Sequence, residues 1–252
     1  MWCETLGKRG SNEIASCLFN YNNAIGPVEH LSYYSDSCTG RNLHCSSMCL
    51  YSVVNLPIET ITHNYFERGY SQMEGDSVHA TIEQFIKKRD MYAPCDYFSA
   101  VRNSKVSDPK YVVKGMAQND FLNFKQLSSD TIINRNIDTD LSKVKWNKIH
   151  MFQYRKVEPR KIYFKYNYND DWRAFEICKT TRKAAKLQPI EGYTLEQLYD
   201  RPIPISNEKY ADLIKLCQSS IIPPVHHIYY RALLHGKSSG RLPEPDEPED
   251  SV

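Results

Sequence analysis

Apolar residues recur at helical spacing over Ser11–Tyr21, where Ile14, Cys17, Leu18 and Tyr21 stand at i, i+3, i+4 and i+7. That period belongs to a helix with one buried face. The next run, VEHLSYYS (28–35), has the length and composition of a strand and leads into the turn SDSCTG. A second helix is predicted with Leu43, Ser47, Leu50, Tyr51 and Val54 on one side, and Pro57 bars its continuation. The β-branched and aromatic run IETITHNYF (58–66) reads as another strand, after which Gly69 and Gly75 bracket a loop. A third helix over about Asp76–Lys88 carries the stripe Val78, Ile82, Phe85 and Ile86. With Met1–Leu6 read as a short strand end, the order becomes strand–helix three times over. This is the rhythm of an α/β sheet covered by helices.

Beyond Asp90 the pattern changes. A helix around Cys95–Asn103, a short strand at Tyr111–Val113 and a helix near Asp120–Leu127 precede the polar loop SSDTIINRNIDTD. Three strand-like runs follow, IHMFQY, KIYFKYNY and WRAFEIC, and the NDD turn between the last two favours a β-hairpin. Thr194 and Gln197 have capping-box spacing for a short helix. Tyr210, Leu213, Ile214 and Cys217 mark a further helix, and Pro223-Pro224 opens one carrying Val225, Ile228, Tyr229 and Ala232. No internal repeat is present. The expected organisation is an α/β unit at 1–90, an α+β accessory region with a basic hairpin at 91–235, and a disordered, acidic, Pro-rich tail at 236–252.

A chain of 252 residues with 41% hydrophobic and 25% charged side chains can bury a sizeable core and is not of disordered composition. No apolar run approaches the roughly 20 residues of a membrane helix, and MWCETLGKRG offers no apolar stretch for a signal peptide. The expectation is an intracellular protein, nuclear if its partner is DNA, with its eight cysteines reduced. Charge is segregated. Residues 141–186 hold 13 Lys and Arg against 4 Asp and Glu, whereas the closing EPDEPEDSV holds five acids and no base. A basic body of this kind suits a polyanion.

The candidate chemistry lies in two places. Asp36 stands just past a predicted strand end, where α/β sheets present ligand-binding groups. Asp76, His79 and Glu83 fall at i, i+3 and i+7 of the third helix. Carboxylates on a strand end and a facing helix suit Mg²⁺ or Mn²⁺, which would activate a nucleophile and stabilise a leaving oxygen in phosphodiester chemistry. The plainer reading makes Asp36 an Asx turn, Asp76 a helix cap and Glu83 a solvated side chain. The second place is the basic, aromatic window around 143–175. There Lys143, Lys145, Arg160, Lys161 and Lys165 either track phosphates or simply form the solvated face of strands whose aromatics pack inward. Cys38, His44, Cys45 and Cys49 lack paired knuckle spacing for zinc, and His226-His227 reads as packing.

ETLGKRGSNEIASCL (4–18), SDSCTGRN (35–42) and ERGYSQMEGDSVHATIE (67–83) resemble, in order and spacing, three blocks of a mobile-element-derived family generally described as a domain of unknown function. YAPCDYFSAVRNSK, FLNFKQLSS and IPISNEKYADLIKLCQSSIIP extend the resemblance over nearly the whole chain. The family is similar to RNase H-like, DDE-type transposases and integrases. The resemblance implies a partial RNase H-like sheet, a DNA partner without a small-molecule cofactor, and Asp36 and Asp76 as catalytic metal ligands with Glu83 supplementing them. It also implies a first acid-bearing strand upstream of Trp2. Cys3, Arg41 and Tyr70 stand where the family has an acid, Gln and His. The expected function is therefore a transposase-derived, DNA-binding protein with impaired catalysis. The rivals are an interaction module or relic without DNA binding, and an active metal-dependent nuclease if the true start lies upstream.

Overall fold

A computed structural model of the chain describes residues 1–36, 42–67, 73–132, 136–177 and 189–236. The chain is of the α/β class expected. It forms two compact units, and neither coincides with the expected 1–90 and 91–235 division. One, the sheet unit, takes the described residues between 9 and 67 and between 120 and 198. The other, the helical unit, takes 1–8, 73–119 and 199–236. The Cys38 turn, Arg41, Tyr70, the basic residues of 178–188 and the acidic tail lie outside the described residues.

The sheet unit is built on β1 (Val28–Ser35), β2 (Ile58–Tyr65), β3 (Met151–Arg155), β4 (Lys161–Lys165) and β5 (Arg173–Glu176), hydrogen-bonded in that order. β1 and β2 are parallel, in register from Val28 opposite Ile58 to Ser35 opposite Tyr65, and α2 (Asn42–Asn55) forms the connection between them, as the pattern predicts. β2, β3, β4 and β5 then alternate antiparallel. The accessory strands thus continue the first sheet. The free side of β2 is occupied by β3, from about ninety residues later.

Period-two alternation sorts the sheet's faces. Ile61, Phe152, Tyr154, Ile162, Phe164 and Phe175 are fully buried beneath α1 (Ser11–Ala24), α2 and α5 (Phe124–Thr131). Ser32, Thr62, Gln153, Tyr163 and Ala174 line up across the other face. Small polar residues let α2 approach the sheet closely. Ser46, Ser47 and Ser52 are buried, and Ser46 Oγ accepts the Tyr154 hydroxyl proton at 2.7 Å. The packed face of α1 departs from its apolar stripe. Glu13, Ala15, Ser16 and Asn22 are buried while Tyr21 is exposed, because Asn22 bonds Ser52 and Ser16 takes the Leu122 amide proton.

The helical unit contains α3 (Glu74–Ile86) packed on α4 (Pro94–Ser104), and α6 (Asn207–Gln218) packed on α7 (His227–Arg231). It also holds the two-residue parallel strands β6 (Ile205–Ser206) and β7 (His235–Gly236). Three expected elements do not form. Met1–Leu6 is no strand: it closes a turn through the Leu6 amide and the Cys3 carbonyl. Tyr111–Val113 has no ladder partner, and Val112 is almost wholly exposed. The capping-box segment Thr194–Gln197 is drawn into extended pairing with residues 121–123 through Asn123 N–H to Glu196 O and Leu198 N–H to Phe121 O. No helix among the described residues is long and apolar enough to cross a membrane.

His63, on the helix-covered side of β2, gives the fold a pH dependence. Burial pushes its pKa down to about 4, and its Nε2 sits 2.8 Å from Ser35 Oγ. The unfolded chain takes up this proton near 6.5 and the folded chain only near 4. Stability from this group is therefore complete above about 6.5 and falls as the pH drops through that window. Denaturant titrations across it should lose about 3 kcal/mol. His63→Gln should remove most of that slope.

Candidate anion-binding pocket

Residues 136–150 fold over one end of the sheet, and their alternation fixes what faces solvent. Val144 and Ile149 are buried, and Trp146 packs on Phe152 and Phe175 with ring centroids 5.3 and 5.5 Å away. With those anchors inside, Lys143, Lys145, Asn147 and Lys148 are left exposed. Backbone bonds fix the segment: Val144 N–H donates to Asn136 O at 2.8 Å, and the Ile149 amide closes a short 3-10 turn over Trp146–Lys148.

A single carboxylate organises the loop. The Asp138 side chain is fully buried. Its Oδ1 accepts the amide protons of Ser142 and Asp140 at 2.8 and 3.1 Å, which shapes a turn where Leu141 takes a left-handed φ of 63°. Its Oδ2 accepts from the Arg173 guanidinium of β5, with Nε at 3.0 Å. Burial alone would raise the carboxyl's pKa, but the Ser142 amide, Arg173 and the Asp140 amide together hold it below the usual carboxylate value.

The result is an open pocket of about 730 Å³ lined by Ser142, Lys143, Lys145, Asn147, Lys148, His150, Tyr166, Asn167 and Arg173. Arg173 is neutralised by Asp138. Among the described residues no carboxylate lies within ion-pair distance of Lys143, Lys145 or Lys148. Tyr166 Oη accepts the Lys145 amide proton at 2.9 Å, which leaves its own proton to donate. Asn167 is held by Asp170 Oδ2 through both its amides. Three ammonium groups with hydroxyl and amide donors around a concavity suit an anion with several oxygens, such as a phosphate.

Of the predicted contact residues, Lys143 and Lys145 line this pocket, and Lys148 completes the set unpredicted. Arg160 and Lys161 lie at the opposite end of the β3–β4 hairpin, five residues or roughly 15 Å along the strands. Lys161 is paired with Glu158 at 2.9 Å. Lys165 lies on the polar sheet face, its ammonium 4.7 Å from the Trp172 ring centroid.

The predicted acids are divided between the two units. Asp36 is exposed at the end of β1 in the sheet unit, whereas Asp76, His79 and Glu83 belong to α3 of the helical unit and are exposed. Asp76 Oδ2 accepts the Met73 amide proton at 2.9 Å, the capping role of the plainer reading. Seven residues separate it from Glu83, about 10 Å along a helix, too far for the two to share one ion. Among the described residues, the one group of three metal-ligating side chains is Cys95, Asp96 and His226. Cys45 and Cys49 are buried, with burial pushing the Cys49 thiol up, and His44 Nδ1 bonds Ser11 Oγ. The described cysteines are free thiols.

No protein-family model, no curated protein and no solved structure matches the chain.

Removing the Asp138 charge should undo the loop. Asp138→Asn strands the Arg173 guanidinium and weakens two backbone bonds, which should cost about 2–4 kcal/mol in denaturant titration. In the same variant, amide hydrogen exchange should rise at Ser142 and Val144.

Proposed function

We propose that this protein binds nucleic acid by seating backbone phosphates in the pocket of Lys143, Lys145 and Lys148. The observation that carries the reading is the distribution of uncompensated charge. In the sheet unit Lys156, Lys161 and Arg155 have carboxylate partners; the three pocket lysines, like Arg160 and Lys165, have none among the described residues, and only the pocket lysines share one concavity. Unpaired ammonium groups around a concavity release counterions from a phosphate backbone when they bind it, so affinity depends steeply on salt and little on sequence. Asn147 and Tyr166 add neutral donors that position a phosphate without reading bases. The resemblance to DDE-type transposases agrees with a DNA partner. Strand cleavage is no part of the proposal.

Fluorescence anisotropy with a labelled duplex over a salt series tests this. The wild-type chain should bind mixed sequences alike, with log affinity falling linearly in log salt. Lys143→Glu/Lys145→Glu/Lys148→Glu should reduce that slope by about 2–3 and weaken binding at all sequences. Arg160→Glu, at the far end of the hairpin, should change affinity less than about 3-fold, since surface charges beyond a Debye length are screened. Unchanged affinity in the triple variant would exclude the pocket as the contact surface. Absence of binding even at low salt would favour an interaction module instead.

A further inference from the structure

Far from the sheet in sequence, the helical unit brings together a thiol, a carboxylate and an imidazole. Cys95 and Asp96 occupy the first turn of α4, and His226 ends the 3-10 turn Pro224–His226. One donor atom from each lies within 4.8 Å of the others. His226 Nε2 stands 3.7 Å from Asp96 Oδ2, and Cys95 Sγ stands 3.7 Å from Asp96 Oδ1. The nitrogen–oxygen gap is too long for a hydrogen bond. Tetrahedral coordination with metal–sulfur bonds of about 2.3 Å and metal–nitrogen or –oxygen bonds of about 2.0–2.2 Å requires donors roughly 3.3–3.6 Å apart. The thiol and the imidazole thus each stand within a few tenths of an ångström of that spacing from an Asp96 oxygen, and all three donors lie within 4.8 Å of one another.

The surroundings orient these donors independently of any ion. Asp96 Oδ2 accepts the amide protons of Tyr92 and Ala93, both at 2.9 Å, which locks the carboxylate plane. The Tyr230 hydroxyl donates to the Tyr92 carbonyl and so ties α7 to the same segment. His226 and Asp96 are mostly buried, with side chains 16% and 26% exposed, while Cys95 is open to solvent. Backbone amides that hold a ligating carboxylate in this way are the outer support that metal sites need. The neighbouring His227 takes no part, as its Nε2 is engaged with the Ile222 carbonyl at 2.8 Å.

We propose that Cys95, Asp96 and His226 bind a zinc-type transition-metal ion with three protein ligands and a fourth position open to water. Thiolate and imidazole donors select a borderline-soft ion and disfavour Mg²⁺ or Ca²⁺, which prefer oxygen shells. The ion cross-links the start of α4 to the turn before α7, across 130 residues of chain, and stabilises the helical unit by mass action.

The test is cobalt(II) and zinc(II) titration of the full chain under reducing conditions. Cobalt should give a thiolate charge-transfer band together with intense tetrahedral ligand-field absorption, saturating at one ion per chain. Zinc should displace it and raise the thermal midpoint. Cys95→Ser, at an exposed position that leaves packing intact, should abolish the charge-transfer band and weaken zinc at least about 10-fold, as should His226→Gln. Cys3→Ser, in the same unit, should leave both unchanged. No charge-transfer band in the wild-type chain, or a band and affinity that persist in Cys95→Ser, would overturn the proposal.

Discussion

The buried carboxylate of Asp138 is the interaction on which the candidate pocket depends. It has no water to solvate it, so its charge must be met by protein donors, and the Ser142 amide, the Asp140 amide and Arg173 meet it. Satisfying that one group fixes three things together. It forces the 138–142 turn, ties that turn to β5 of the sheet, and delivers the chain at Lys143 in an extended path beside Ile137. From there Val144, Trp146 and Ile149 can only pack inward, which leaves the intervening lysines outside. The same carboxylate cancels the charge of Arg173, so the pocket's positive field comes from three flexible ammonium groups.

The sheet makes the two ends of the β3–β4 hairpin electrostatically different. At the end bearing Arg155, Lys156 and Lys161, each cation has a carboxylate from Glu59 or Glu158. Exposed pairs of this kind contribute little to stability, yet they remove the local field. At the other end Asp138 pairs with Arg173, and among the described residues no carboxylate lies within ion-pair distance of Lys143, Lys145 or Lys148. Three of the cations left without a carboxylate partner among the described residues, Lys143, Lys145 and Lys148, thus border one concavity. Tyr166, just past the end of β4, lines the same concavity and accepts the Lys145 amide proton.

Local patterns carried much of the fold. β1, α2, β2, α3, α4, α6 and the three later strands lie where periodicity and breaker residues put them, and the parallel pairing of β1 with β2 follows from their linkage through a helix. The failures were long-range. Thr194–Gln197 has helix-capping spacing, but pairing with residues 121–123 offers its backbone a ladder, and no local signal encodes that partner. Residue 90 looked like a boundary because the pattern changes there, yet β3 joins β2 in one sheet. At the site, composition found Lys143 and Lys145 and missed Lys148, since only coordinates separate lysines that face a carboxylate from those that do not. Cys95 and His226 were read separately, one as part of a helix and the other as packing, because 130 residues of chain intervene. Asp76 shows the opposite case: its spacing from Glu83 looked meaningful, while its carboxylate is engaged in closing its own helix.

Lysine-reactivity footprinting addresses the central claim most directly, because it reads each ammonium group in the unmodified chain. The protein would be labelled with an amine-specific reagent at low salt, with and without a saturating DNA duplex, and the modified positions mapped. The account predicts strong protection of Lys143, Lys145 and Lys148, and unchanged labelling of Lys156 and Lys215. Full reactivity of the three pocket lysines in the presence of bound duplex would contradict it.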